Sequence, residues 1–490
     1  MKKVIISIIS CLVGFTAFAQ DFTFRDFEYR VLDPEKRTCQ LIGPSSEEIE
    51  GDVEIREYVM YEEESYQVTS IRHRAFWECQ NITSINLPNS IEEIGEWAFH
   101  KCTSLVSLSL PNAITSIPED MCDNCASLQS ILIPESVVTI GDCAFSGCSS
   151  LKSISLPENL ESIKWDAFQG CTSLTSLTLP DSLTEIGHAA FASCLSLEKL
   201  ELPETLKVLG ENAFSFCDKL SSVFIPASVV EIGSSPFAGC DSLIAINVDD
   251  NNPNYDSLDG LLYTKNLEKL IQFPAGLSSV NLPEGLIKIG PSAFSYFNNL
   301  REITLPSSVK EIGSSAFVKC EALQTVNLPP SLEFIDSYVF YSCDSLKSIV
   351  IPQLVTNLKT YTFGWCEGLE EVTLLSPNFV EVPDGGDRND AIYESVFYGC
   401  STKMTLYVYQ DLIKDYKNSY WWTLFFKKIL PIAGGSGVDS LPLDETKPFD
   451  IYSLSGMLVK EKAVKEDLRN LTPALYILRQ GTSSKKVQIR

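Results

Sequence analysis

The stretch Cys102-Thr103-Ser104-Leu105-Val106-Ser107-Leu108-Ser109-Leu110-Pro111, running on to Ile114 and Ile117, decides the fold because it returns 23 residues later as Cys125, Leu128, Ile131, Ile133, Pro134, Val138 and Ile140. The closing dipeptide keeps the same step at Leu87-Pro88, Leu110-Pro111, Ile133-Pro134, Leu156-Pro157, Leu179-Pro180, Leu202-Pro203 and Ile225-Pro226, and resumes at Leu282-Pro283, Leu305-Pro306, Leu328-Pro329 and Ile351-Pro352. A fixed period of roughly 20–29 residues with leucine at set offsets marks a leucine-rich solenoid.

Within one coil, Leu108 and Leu110 alternate with Ser107 and Ser109, so this segment reads as a short strand with its leucines inward. Proline ends it, having no amide hydrogen for the ladder. An Ile-Gly-x-x-Ala-Phe turn follows, as in Ile94 to Phe99, Ile140 to Phe145 and Ile312 to Phe317. Its last slot holds Phe76, Phe99, Cys122, Phe145, Phe168, Phe191, Phe214, Phe237, Phe294, Phe317, Phe340, Phe363 and Phe397, which counts thirteen coils. Ordering one coil costs about 35 kcal/mol at roughly 1.5 kcal/mol per residue. Its eight or so apolar slots return about 1.5–3 kcal/mol each when buried, so a coil is stable only between neighbours. At about 4.8 Å per coil the stack is on the order of 60 Å long.

Composition narrows the function. Lys2 and Lys3, the apolar run Val4 to Phe18 and the small residues Ala17 and Ala19 spell an export signal over residues 1–19, cleaved before Gln20. Ile8-Ile9-Ser10-Cys11 also fits an acylation box loosely, although cleavage there would strand Leu12 to Phe18 as an apolar terminus. No other segment has the ~18 apolar residues that span a bilayer. The formal charge is −26, and losing Lys2 and Lys3 takes it to −28; such a field repels nucleic acid.

The whole coil, Ile-Gly-x-x-Ala-Phe-x-x-Cys-x-Ser-Leu-x-Ser-Ile-x-Leu-Pro, resembles the BspA-like, or Treponema-type, bacterial leucine-rich-repeat proteins, and the resemblance covers about Asp21 to Ile432. The stretch Asn252-Pro253-Asn254-Tyr255, continuing through Ser257 to Tyr263 and Leu270 to Pro274, is similar to the longer hairpin-bearing repeat of such arrays. The resemblance implies a secreted or surface-displayed bacterial protein used in adhesion or host interaction; family members bind diverse partners, so it names no ligand.

The expected architecture is mostly β with short helical turns, a right-handed solenoid of about thirteen coils. Residues 20–70 form an N-terminal β cap of two strand pairs, turning at Pro34-Glu35-Lys36 and Glu62-Glu63-Glu64, and 71–400 form the solenoid, with the irregular repeat at 248–290 and an insertion at 380–396. Residues 401–432 resemble a terminating strand and helix, 433–448 form a Gly-rich linker, and 449–490 a small β domain similar to C-terminal tails of exported proteins, some of which are sorting signals.

Twelve cysteines share one slot: Cys79, Cys102, Cys125, Cys148, Cys171, Cys194, Cys217, Cys240, Cys320, Cys343, Cys366 and Cys400. A slot used once per coil stacks sulfurs in parallel, and Phe297 substitutes for one, so these read as buried thiols acting as small apolar groups rather than disulfides. Cys122, Cys125, Cys143 and Cys148 imitate a four-cysteine zinc spacing, but they take different coil slots, Cys143 an exposed one, and cannot converge without unwinding two coils. His73 and His188 are five coils apart, about 24 Å along the axis, and with His100 read as solvated turn residues, giving no catalytic set. The Asp384–Asp390 cluster and the group Asp249, Asp250, Asn251, Asn252, Asp256 and Asp259 carry hard oxygens but lack calcium-loop spacing. Trp77, Trp97, Trp165 and Trp365 take four different slots and form no aromatic stripe.

Two serine columns remain. Ser104, Ser127, Ser150, Ser173 and Ser196 read as backbone caps. Ser84, Ser107, Ser130, Ser153 and Ser176 point outward and, with Asn86, Ser109, Ser155, Thr178 and Glu201, offer a flat polar sheet. The sequence therefore predicts a non-enzymatic binder without metal or cofactor, whose contact surface is Asn86, Ser107, Ser109, Ser130, Ser153, Ser155, Ser176, Thr178 and Glu201, and whose partner is a protein or a glycan. The runner-up is a structural or carbohydrate-capturing envelope protein, which an exposed, sugar-sized aromatic cluster would favour.

Overall fold

In the strand Ser107–Ser109 the leucine is buried and both serines are exposed, as period two requires. The same burial pattern repeats in Ser153–Ser155 with Ile154 inward and in Ser130–Leu132 with Ile131 inward and Leu132 exposed, and the strands pair in parallel with a strict 23-residue register, Ser84 to Ser107 to Ser130 to Ser153. The structure is a computed structural model describing residues 20–46, 48–277, 279–383, 395–432, 448–453, 458–464, 467–468, 471, 474–480 and 483–489. The expected signal segment with its cleavage point, the acylation box at Cys11, the acidic cluster at 384–390 and the core of the Gly-rich linker lie outside these residues.

The chain is mostly β and winds about 15 turns at roughly 23-residue spacing. Proline does end the strand: the carbonyls of Pro134, Pro157 and Pro180 accept from the amides of Val137, Leu160 and Leu183 and turn the chain a corner. This corrects the register given above, because Val137 is the buried mate of Ile114 while Val138 is exposed. A second ladder then forms that the sequence reading did not separate, made of two-residue strands such as Ser116–Ile117, Thr139–Ile140, Ser162–Ile163 and Glu185–Ile186.

The third wall is the Gly-x-x-Ala-Phe turn. Two positions per coil adopt positive φ, at Arg74, Trp97, Asp120, Cys143, Asp166 and Asn212 in one column and at Glu78, Lys101, Asn124, Gly147, Gly170 and Phe216 in another. For side chains other than glycine that conformation costs about 1–2 kcal/mol each. It persists because it aims three amides per coil at the next: Trp97, Phe99 and Lys101 donate to the carbonyls of Glu119, Met121 and Asp123, and the pattern recurs from coil to coil.

Phenylalanines stack inside this wall at centroid distances of 4.9–6.0 Å. Phe273 is a further member that the 23-residue count skipped. Its ring lies 5.1 Å from that of Phe294, and its amide donates to Ala293, as the Phe145, Phe168 and Phe191 amides donate to Ala167, Ala190 and Ala213 one coil on. It stands in the irregular repeat, whose strands Tyr255–Leu258, Leu261–Thr264 and Lys269–Gln272 form an antiparallel meander before parallel pairing resumes.

The cysteine column is sealed: eleven of its twelve members are buried, and Cys79 is half-buried. Each of the eleven turns its S–H onto the main-chain carbonyl of the residue 26 back, or 37 back across the insertion, with Sγ to O distances of 2.8–3.5 Å. The thiols are therefore weak donors as well as apolar fillers. Burial pushes Cys171 and Cys320 up to about 12 and the half-buried Cys79 and Cys143 up to about 11 and 12. Mass spectrometry after iodoacetamide treatment at pH 7.5 is expected to show at most two of the fifteen described thiols modified in the native protein, Cys79 and Cys143, and all of them in guanidinium.

The N-terminal cap is richer than two strand pairs. Asp21–Phe24, Phe27–Asp33 and Thr38–Pro44 form an antiparallel meander, and Tyr58–Tyr61 pairs with Glu64–Ile71. Gly51–Glu54 already pairs with Ile82–Asn86 and opens the solenoid ladder. At the far end Met404–Val408, two short helices over Ile413–Asn418 and Tyr420–Phe425, and Phe426–Pro431 close the core with Trp422, Phe425 and Phe426 against Phe397. The tail strands Phe449–Ser453, Leu458–Ala463, Ala474–Gln480 and Ser483–Ile489 form an antiparallel sheet with a small core of their own, including Ile451, Leu468 and Leu478.

Candidate functional site

All nine expected contact residues, Asn86, Ser107, Ser109, Ser130, Ser153, Ser155, Ser176, Thr178 and Glu201, are exposed, the first six of them on one paired ladder. Ser176 continues it by bridging to Lys199. Parallel pairing uses the main-chain groups between these strands, so side chains alone face solvent. Ser84 is half-buried, and Asp52 accepts from both Ser84 Oγ, at 2.6 Å, and Thr83 Oγ1, at 3.0 Å, at the cap end of the face.

The capping hydroxyls belong to another column than expected. Instead of Ser104, Ser127, Ser150, Ser173 and Ser196, the hydroxyl two places after the proline does this: Ser136, Ser182 and Ser308 donate to the carbonyls of Ile114, Leu160 and Leu286 at 2.6–2.8 Å. Asn252, weighed above as a calcium ligand, is also structural. It is buried, donates to the carbonyls of Pro226 and Val229, and accepts from the amides of Asn254 and Tyr255. Asp249 likewise closes its own turn by accepting from Asn251.

The aromatic residues require a correction. The four tryptophans do occupy different slots, yet the positive-φ turns bring slots together. Tyr338 stacks on Tyr361 at 4.9 Å, Tyr341 packs edge-on against Tyr361 at 6.0 Å, and Tyr398 meets both Tyr361 and Trp365 at under 6 Å. Tyr338 is 38% and Trp365 41% exposed, and the other three rings are half-buried. Two glycines make the approach possible: a Cβ on Gly364 would lie 2.8 Å from the Tyr341 ring, and one on Gly399 would lie 2.7 Å from Trp365. Tyr338 and Tyr361 share a slot one coil apart, so this contact is periodic where the tryptophans are not.

His100 is not a solvated turn residue. It is 5% exposed, lies under the rings of Trp97 and Trp77 at 4.8 and 6.3 Å, and brings Nδ1 within 3.1 Å of Asp123 Oδ2. His73 is exposed and His188 half-buried against Trp165 at 5.0 Å. Cys143 stands half-buried rather than exposed, and Cys125 and Cys148 turn their sulfurs onto the Phe99 and Cys122 carbonyls. The metal-ligating side chains drawn together among the described residues are instead His100, Asp120 and Asp123, all buried. Burial, with Asp123 and Glu119 close by, pushes Asp120 up to about 6. Burial also lowers His100, against the pull of Asp123.

A family model for the BspA type leucine rich repeat region matches, in six copies, residues 69–171, 138–258 and 274–403. Among solved structures, a leucine rich cell surface protein from Faecalibacterium prausnitzii is 25% identical, with 85% of this chain and 95% of that one aligned at a TM-score of 0.56. A leucine-rich repeat protein from Bacteroides ovatus is 26% identical over 84% of this chain and all of its own, at a TM-score of 0.47. The pneumococcal vaccine antigen PcpA shares the fold at 19% identity and a TM-score of 0.51, over 84% of this chain and 99% of its own. No curated protein matches the chain. Among the described residues no helix is long and apolar enough to cross a membrane.

Proposed function

Since the chain belongs to the BspA-type leucine-rich-repeat proteins, a family with cell-surface members, we propose that it is exported, displayed at or released from the cell surface, and holds a macromolecular partner on its exposed sheet face in adhesion or host interaction. The observation that carries this reading is the ladder of Asn86, Ser107, Ser109, Ser130, Ser153 and Ser155, exposed in strict register on a surface whose main chain is already paired. Such a surface is preformed, so binding does not have to order it. A broad polar face suits a partner protein better than a small molecule, and we read the chain as a binder rather than an enzyme.

The test is a pull-down with host matrix proteins alongside a glycan array, using the native chain and the triple variant S107R/S130R/S153R. Affinity for a captured protein is expected to fall at least about tenfold with the melting curve unchanged; undiminished binding would remove the sheet face from consideration.

The cluster of Tyr338, Tyr341, Tyr361, Trp365 and Tyr398 favours a second reading, capture of a glycan, because flat exposed rings stack on the apolar faces of sugars. On this reading Trp365→Ala abolishes signals on the glycan array while S107R/S130R/S153R leaves them intact.

A further inference from the structure

We propose that His100, Asp120 and Asp123 bind one divalent first-row transition cation, zinc by preference, which staples two consecutive coils where Cys122 interrupts the phenylalanine ladder. The ligand atoms lie within 4.8 Å of one another and come from both sides of the junction, His100 from one coil and the two aspartates from the next. The aspartates flank Cys122 itself, the slot where Phe99 and Phe145 lack the ring that would lie between them. A cation here restores by coordination an inter-coil contact that neighbouring coils such as those of Phe145, Phe168 and Phe191 obtain by stacking.

The imidazole points to a ligand independently of the carboxylates. His100 Nδ1 is fully buried, faces Asp123 Oδ2 at 3.1 Å, and makes no hydrogen bond to it or to any other group. A buried nitrogen left in that state costs about 1–3 kcal/mol, and two buried carboxylates beside it repel one another. A cation between them answers both. Asn124 Nδ2 donates to Asp123 Oδ2 at 2.7 Å and so orients the carboxylate, while Trp97 and Trp77 screen the imidazole from water.

The donor set selects the metal. Calcium asks for six to eight oxygens and magnesium keeps most of its water, whereas one imidazole and two carboxylates suit zinc with a water in the fourth position. To hold the ion, the three atoms would close from their present spacing to about 2.0–2.2 Å from a common centre.

The test uses the untagged full chain, dialysed against zinc chloride and analysed for metal content and affinity by competition with a chromogenic chelator. One equivalent is expected, with affinity lowered at least about 30-fold by H100Q and by D123N and unchanged by H73Q, whose imidazole is exposed. Zinc should raise the melting temperature of the native chain by a few degrees and that of H100Q not at all. Should either variant fold poorly, anomalous scattering at the zinc edge from crystals of the native chain decides the matter by placing the ion between the three side chains or elsewhere. Absence of stoichiometric binding, survival of binding in folded H100Q, or an ion at another location overturns the proposal.

Discussion

Replacing Phe168 with alanine is expected to cost about 3–5 kcal/mol. The ring is fully buried between Phe145 and Phe191, at 5.3 and 5.1 Å and within 12° of parallel to each. The surrounding coil cannot close over the vacancy, because the Phe145 amide is tied to Ala167 and the Phe168 amide to Ala190, both at 2.8 Å. The cavity should therefore persist, which puts the loss in the upper part of the range. Stability in a stacked array is roughly a sum of nearest-neighbour terms, so the damage should be local. Denaturant unfolding is expected to separate into two transitions, with hydrogen exchange fastest in the coils holding residues 145 to 191. A loss below about 1 kcal/mol, or a uniformly accelerated exchange, would show that the ladder of rings does not hold neighbouring coils together.

Cys171→Asp should be at least as damaging at neutral pH, at about 3–5 kcal/mol, where Cys171→Ala loses only about 1 kcal/mol. The native thiol is fully buried and donates to the Phe145 carbonyl at 3.3 Å; a carboxylate there would face that oxygen with no donor and no cation. Its proton affinity in the folded state would rise well above the unfolded value of about 3.9, so the folded form would bind more protons than the unfolded one across the interval between the two. The sign follows: the penalty should be nearly absent below pH 4, grow as pH rises, and level off above the folded-state value. Chemical denaturation of the two variants at pH 4 and pH 8 checks this, and equal stability at both pH values would mean that the sulfur column is open to water.

What could be read from the sequence is what repeats with burial. Leu105, Leu108, the cysteine slot and the phenylalanine slot each recur every 23 residues because each is inside, and the outward serines were legible as their complement. The losses have particular causes. Adjacent valines at 137 and 138 are indistinguishable by type, and only the corner after Pro134 decides which turns inward. Phe273 fell out because the hairpin shifts its spacing. The left-handed positions were invisible where Trp97, Phe216, Tyr338 and Trp365 occupy them, since such residues do not advertise positive φ. That omission hid the sites as well: those turns fold slots several residues apart onto one another, and both the aromatic cluster and the pocket around His100 arise from it. His100 stands in a slot that also buries Asp123, Ala192, Ser215 and Ala238, and Trp77 and Trp97 pack against its ring.

The turn wall also gives the molecule an arrow. In its two left-handed columns and at the phenylalanine slot the amides donate toward the C-terminal end, from Arg74 to Glu96, from Asp120 to Asp142, from Asp166 to His188 and onward from Trp365 to Tyr398, whereas the glycine amides that open the same turn donate back, from Gly95 to Ile71 and from Gly141 to Ile117. The direction of hydrogen bonding is therefore set wall by wall and recurs unchanged from winding to winding, as in Trp97 to Glu119 on the turn wall and Val138 to Thr115 beside the second ladder. A tandem copy of any 23-residue unit can be spliced in without disturbing this vector, whereas a unit facing the other way could not be accommodated, so lineages of such chains can lengthen or shorten by whole windings while keeping the same pair of end pieces.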